Sequence, residues 1–125
     1  MNLDHVTAFT AAMQQKNLDA MLSHMADNVV LNTPLIAEPI KGKAAIRKIV
    51  GPLLDVVDAF DFREIMRGPE HVSSFFEVTV GTIKLDGMDY WLLDGAGLIK
   101  EMTVLWRPLP AVIAVRDKLL ARSGD

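Results

Sequence analysis

Residues 89–110, DYWLLDGAGLIKEMTVLWRPLP, constrain the fold more than any other stretch of the chain. Two strand-like runs, residues 88–93 and 98–106, flank Asp94-Gly95-Ala96-Gly97. Aspartate and glycine suit a tight reversal, and the aromatic and β-branched residues beside them suit a pleated, half-buried surface. A hairpin follows, and a hairpin alone is marginal in water, so further strands and helices must cover its apolar face. Upstream, residues 60–67 and 72–80 read as strands joined at Gly68-Pro69-Glu70, and residues 83–85 begin or continue another. Asp86-Gly87 is a site for a tight turn or a bulge. Pro108 and Pro110 end the sheet.

The first half carries helical periodicity instead. Leu3, Val6, Phe9 and Met13 recur at helical spacing, and Leu18, Met21, Leu22 and Met25 form a second stripe behind Asn17, a good N-cap, with Asp19 in the first turn. Asp27-Asn28 reads as a turn, residues 29–33 as a short strand stopped by Pro34, and residues 35–41 as a loop. Gly42 opens a third helix with Ile46, Ile49, Val50, Leu53, Leu54 and Val57 on its apolar positions, and Gly51-Pro52 is expected to kink or split it. Residues 112–120 read as a short terminal helix. Helices first, then an antiparallel meander, define an α+β class, and residues 1–125 are expected to form one domain.

Composition closes off several functions. Half of the 125 residues are hydrophobic, enough for one packed core, yet no apolar run approaches the ~20 residues that cross a bilayer. The early Asp4, with no basic block before an apolar one, is unlike a secretion signal. With no cysteine there is no disulfide, zinc-thiolate site or thiol nucleophile. A net charge of -3 supplies no footprint for nucleic acid. A cytoplasmic protein with no membrane or nucleic-acid partner is expected. No phosphate loop, dinucleotide fingerprint or serine elbow is present, so no cofactor is expected. His5, His24 and His71 lack metal-ligand spacing, and Asp55, Asp58 and Asp61 are spread over a helix end and a strand start, so no metal site is expected. Lys41, Lys43, Arg47 and Lys48 cluster at the third helix. They read as a solvated patch, the competing role being to guard a pocket mouth or bind an anion.

Strand parity singles out one acid. Asp89 shares a face with Trp91 and Leu93, while Phe76 falls among Val72, Ser74, Val78 and Val80, and Met102 joins Val104 and Trp106. These faces are apolar and should meet the helices. A carboxylate among them is costly unless it is paired or used. Asp89 is therefore either a pocket acid with a raised pKa or a structural acid that caps a turn near Gly87 or pairs with Arg63. The opposite faces mix Phe75, Tyr90, Leu92 and Leu105 with polar residues, more apolar surface than a solvated face carries, which predicts cover by a second copy in a homodimer.

The element order, the GKAAI opening of the third helix after a proline-containing loop, and the ending DGAGLIKEMTVLWRPL resemble the SnoaL-like proteins of the nuclear transport factor two-like superfamily, which includes ketosteroid isomerase, limonene epoxide hydrolase and scytalone dehydratase. The resemblance covers nearly the whole chain. It implies a curved antiparallel sheet of about four to six strands wrapped around three N-terminal helices, a cone with an apolar pocket at its mouth. Carried over residue by residue, the isomerase's helix tyrosine falls on Phe9, its base on Thr33, its protonated Asp on Asp89 and its pocket Trp on Trp106. The hydrolase's water-binding Asn falls on Asn32, but its Asp-Arg-Asp trio has no counterpart, because Phe76, Val78 and Val104 occupy those positions. The dehydratase's pocket histidines are not matched.

The resulting expectation is a small, largely apolar ligand held by Phe9, Asn32, Thr33, Phe76, Trp91, Met102 and Trp106, with Asp89 as the candidate catalytic acid. The chemistry would be a cofactor-free cyclisation, isomerisation or dehydration. The competing class is a non-catalytic ligand-binding or interaction domain, which the loss of the base at Thr33 and of the tyrosine at Phe9 favours. Asn32 and Thr33 have an equally simple role in satisfying loop backbone before Pro34. Met13, Met21, Met25 and Met102 read as core filling, or as the walls of a deformable cavity.

Overall fold

A computed structural model describes residues 1–123. The chain runs α1 (Asp4–Gln14), α2 (Leu18–Ser23), β1 (Met25–Asn32), β2 (Ile40–Lys41), α3 (Lys43–Val56), β3 (Ala59–Arg67), β4 (His71–Val80), β5 (Ile83–Leu93), β6 (Ile99–Arg107) and α4 (Leu109–Ser123). The six strands form one sheet in the order β2-β1-β6-β5-β4-β3. β3 to β6 make the expected antiparallel meander, whereas β1 lies parallel to β6, so the sheet is mixed. The helices cover its inner face. Val6, Phe9 and Met13 of α1 and Ile46, Val50 and Leu54 of α3 are buried there against Val72, Phe76, Val78, Leu85, Trp91 and Met102 of the strands.

Local chemistry accounts for the element ends. The Asn17 side chain accepts from Ala20 N–H at 3.1 Å and caps α2 as its position predicts. The β5–β6 reversal is organised by Asp94, whose Oδ1 accepts from the N–H groups of Ala96 and Leu98 at 2.9 and 3.0 Å, while Gly97 supplies a φ of 84°.

Four sequence expectations are corrected. Met25 belongs to β1 rather than to the second helix, because α2 closes at Ser23 and Met25 pairs with Ile99. Asp27-Asn28 is not a turn. Both side chains are exposed where pairing with β6 lapses between Met25 and Val30, so the strand bulges and continues. Of the two effects expected of Gly51-Pro52, a kink or a split, the split does not occur, because α3 runs through Pro52. An interior proline costs about 3 kcal/mol. Burial of Ile46, Val50 and Leu54 contributes on the order of 1.5–3 kcal/mol each, which outweighs that cost.

Asp86-Gly87 likewise makes no turn, since β5 passes through it with Gly87 opposite Phe76 on one side and Trp106 on the other. The glycine is there for space. A Cβ at this position would lie 2.5 Å from Phe76 Cε2 and 2.9 Å from Trp106 Cδ1. Gly87→Ala should therefore destabilise the fold by about 1–3 kcal/mol, seen as a lowered urea midpoint with an unchanged slope. An unaltered midpoint would mean that the two rings yield freely.

Candidate functional site

Between the inner sheet face and the helices lies a cavity of about 320 Å³. Phe9 and Met13 of α1, Met21 of α2, Met25 and Leu31 of β1, Phe76 of β4 and Met102 of β6 line its buried part. Exposed or half-exposed lining residues mark the mouth: Lys48, Ile49 and Leu53 on α3, and Arg116 and Leu120 on α4. The walls are overwhelmingly apolar, and the methionines that the sequence offers as core filler line the space itself.

One acid faces this cavity. Asp89 pairs across the sheet with Ser74 and Val104, which fixes its side chain on the inner face. It is 0% exposed, and neither carboxyl oxygen has a hydrogen-bond partner. Its nearest polar neighbour in the sheet is already engaged, because the Ser74 hydroxyl donates to the Glu64 carbonyl at 2.7 Å, where β3 bulges between Phe62 and Ile65. The structural roles open to Asp89 in sequence are not taken up. Arg63 lies beside Asp61 at 3.1 Å and Glu77 at 3.8 Å, and Gly87 is in mid-strand. Burial without a compensating partner pushes the Asp89 carboxyl well above its ordinary value of 3.8.

Among the other sequence-predicted residues, Phe9, Thr33, Phe76, Met102 and Trp106 also line the cavity. Thr33 Oγ1 accepts from Leu35 N–H at 3.3 Å and Ile36 N–H at 3.2 Å, so it also shapes the loop after β1. Trp106 brings a buried indole N–H that has no partner.

Two placements differ from expectation. Asn32 does not line the cavity, because its amide donates to Thr103 Oγ1 at 3.1 Å and Glu101 Oε1 at 3.4 Å, both on the opposite sheet face. Strand parity explains this: Leu31, next to it, takes the inward position. Trp91 is fully buried but packs beneath the wall, edge-on to Phe9 with ring centroids 6.2 Å apart, rather than lining the space.

Sequence reasoning missed the contribution of α4, where Arg116, Leu119 and Leu120 complete the mouth, and that of Pro34, Leu35 and Ile36 in the loop. The signal was present in α4, where Val115 and Leu119 are four apart and face inward. The histidines stay outside the cavity. His5 and His24 meet with Nδ1 atoms 3.0 Å apart, burial and then His5 lower the pKa of His24, and no cluster of three or more metal-ligating side chains forms among the described residues.

The SnoaL-like domain model matches residues 6–102, and the chain belongs to that family. A steroid delta-isomerase from Pseudomonas aeruginosa superposes with a TM-score of 0.84 at 20% identity, covering 96% of this chain and 89% of that one. An uncharacterised protein with a cystatin-like fold from Silicibacter pomeroyi DSS-3 gives 0.81 at 25% identity, covering 98% and 89%. TerC, co-crystallised with polyporic acid, gives 0.75 at 20% identity, covering 92% and 97%. The likeness to the isomerase and TerC establishes the shared cone-shaped fold.

A buried carboxyl of raised pKa has a fixed consequence for stability. The folded chain holds the Asp89 proton at pH values where the unfolded chain has released it. Its contribution is therefore fully present below the ordinary carboxylate value and is lost as pH rises through the raised one. Denaturant titrations between pH 4 and 8 should show wild-type stability declining relative to Asp89→Asn, with the variant ahead at pH 8. Parallel curves would show an ionised or paired Asp89.

Proposed function

We propose that residues 1–125 act as a single domain that binds a small, largely apolar molecule carrying a carbonyl or similar acceptor, and that Asp89 donates a hydrogen bond to that acceptor from its neutral form. The observation that carries this reading is the pair of Asp89 carboxyl oxygens, both buried and both without a partner. A native fold rarely leaves such a group unsatisfied without a use for it. An O–H donor in an apolar enclosure gains strength from the low local dielectric and from the exclusion of water. The unpaired Trp106 N–H is a second donor on a residue of the same wall. Phe9, Phe76 and Met102 would hold the apolar body. The name of the steroid delta-isomerase and the polyporic acid bound to TerC support a small-molecule ligand on this fold. A cytoplasmic setting belongs to the same reading and rests on the cysteine-free sequence. No helix among the described residues is long and apolar enough to cross a membrane.

A second reading adds turnover by cofactor-free cyclisation, isomerisation or dehydration. What favours it is that a neutral carboxyl beside a ligand acceptor can transfer its proton as well as share it. The walls supply no second acid or base at Phe9 or Thr33, so the other proton transfer would fall to the substrate or to water. Asp89→Asn separates the readings. In a binder, affinity for an aryl ketone panel should change little, because the amide N–H still donates, whereas Asp89→Leu should lower it about three- to tenfold, the worth of one hydrogen bond. In an enzyme, turnover of Asp89→Asn should fall about 10²–10⁴-fold with affinity nearly unchanged. If neither moves in Asp89→Leu, Asp89 has no part in function.

The outer face is assigned to a second copy of the chain. Phe75, Met88 and Leu105 form a row across β4, β5 and β6, with Tyr90 beside it. Phe75, Tyr90 and Leu105 are 37, 41 and 62% exposed. Polar rows containing Glu77, Asp86 and Arg107 at one end and His71 and Glu101 at the other frame this patch, the apolar centre and polar rim of an isologous contact. Sedimentation should show a wild-type dimer that Phe75→Ser with Leu105→Glu converts to folded monomers of unchanged ligand affinity. A wild-type monomer at tens of micromolar would refute the assignment.

A further inference from the structure

The basic cluster at the start of α3 divides in the folded chain. Lys43 Nζ lies 3.6 Å from Asp27, and Arg47 Nη2 lies 2.6 Å from Asp19, so these two cations are held against carboxylates of β1 and α2. Lys48 is different. It lines the cavity at its exposed end and makes no ion pair among the described residues. From α4, Arg116 lines the same mouth, and its one described ion pair is with its own neighbour, Asp117, at 3.2 Å. Among the described residues, Asp89 is the one acid on the cavity wall. The space is therefore graded, with a hydrogen-bonding acid in its buried part, hydrocarbon along most of its length and two cations at the entrance.

We propose that the cavity is built for an amphipathic anion, an apolar molecule whose outer end carries a carboxylate or similar oxyanion held between Lys48 and Arg116 while its inner end meets Asp89. The inference rests on the ligand-binding reading and adds the charge and orientation of the guest. A cation or a neutral molecule would leave the Lys48 ammonium without a counter-ion, whereas an oxyanion can accept from it and from the Arg116 guanidinium, whose described partner is Asp117. Because the rim is exposed to water, each contact is worth only a few-fold in affinity, and the preference should weaken with salt.

A matched pair of fluorescent probes tests this: 8-anilinonaphthalene-1-sulfonate and its uncharged counterpart N-phenyl-1-naphthylamine share an aromatic body and differ by the sulfonate. At low ionic strength the wild-type protein should bind the anion about tenfold more tightly than the neutral probe, and added sodium chloride should narrow the gap. Lys48→Gln with Arg116→Gln should abolish the preference and leave the neutral probe's affinity unchanged. Leu53→Trp, which narrows the mouth, should weaken both probes. Equal binding of the two probes, a preference that survives the double substitution, or probes indifferent to Leu53→Trp would each overturn the proposal. If neither probe binds the wild-type protein, the ligand-binding reading itself falls, an outcome distinct from binding without charge preference.

Discussion

An aspartate side chain sealed into hydrocarbon, with neither oxygen hydrogen-bonded, is the interaction around which this structure is arranged. The sheet leaves it no other direction. Position 89 alternates with Leu85, Gly87 and Trp91 on the inner face of β5, and a strand cannot turn one side chain out without turning its neighbours out as well. Asp89 has no exposed surface, and the adjacent Ser74 hydroxyl is tied to a bulge carbonyl. Neutralisation by a retained proton is the least costly way to keep such a group buried. A carboxyl that keeps its proton there would be a hydrogen-bond donor on the cavity wall.

The space exists because the inner sheet face and the helices are not packed to closure. Gly87 omits a side chain where Phe76 and Trp106, both on the cavity wall, need room. The methionines of α1, α2, β1 and β6 contribute flexible thioethers where branched residues would impose a fixed outline. Rigid aromatic surfaces and adaptable ones thus share the wall. Such a combination suits a guest of roughly matched volume, and at about 320 Å³ the cavity sits at the small end of the range for ligand sites.

The parts of this arrangement that follow from period and turn chemistry were legible in the sequence. Alternation placed Asp89, Phe76 and Met102 on the inner face, the Asn17 cap and the Asp94 turn sit where their side chains dictate, and family resemblance supplied the cone. Local signals misled where tertiary packing overruled them. Pro52 is carried within α3 by the burial of Ile46, Val50 and Leu54, and Asp27-Asn28 is drawn into a bulged strand by pairing on either side. Asn32, carried to the pocket by family resemblance, sits one step of alternation away, and its amide goes to Glu101 and Thr103. The mouth was hardest to foresee. It is assembled from α3 and α4, which are far apart in sequence, and nothing within either segment shows that Lys48 and Arg116 border the same opening.

The proposed donor role of Asp89 depends on the carboxyl keeping its proton in the folded chain. Carbon-13 NMR of protein labelled at aspartate side-chain carboxyls, with the resonance assigned by its loss in Asp89→Asn, reads that state directly. Among the labelled aspartates, the Asp89 carboxyl should keep the chemical shift of a protonated acid at pH 7. If the Asp89 signal moves with the others, the carboxyl is charged in the fold and the account is wrong.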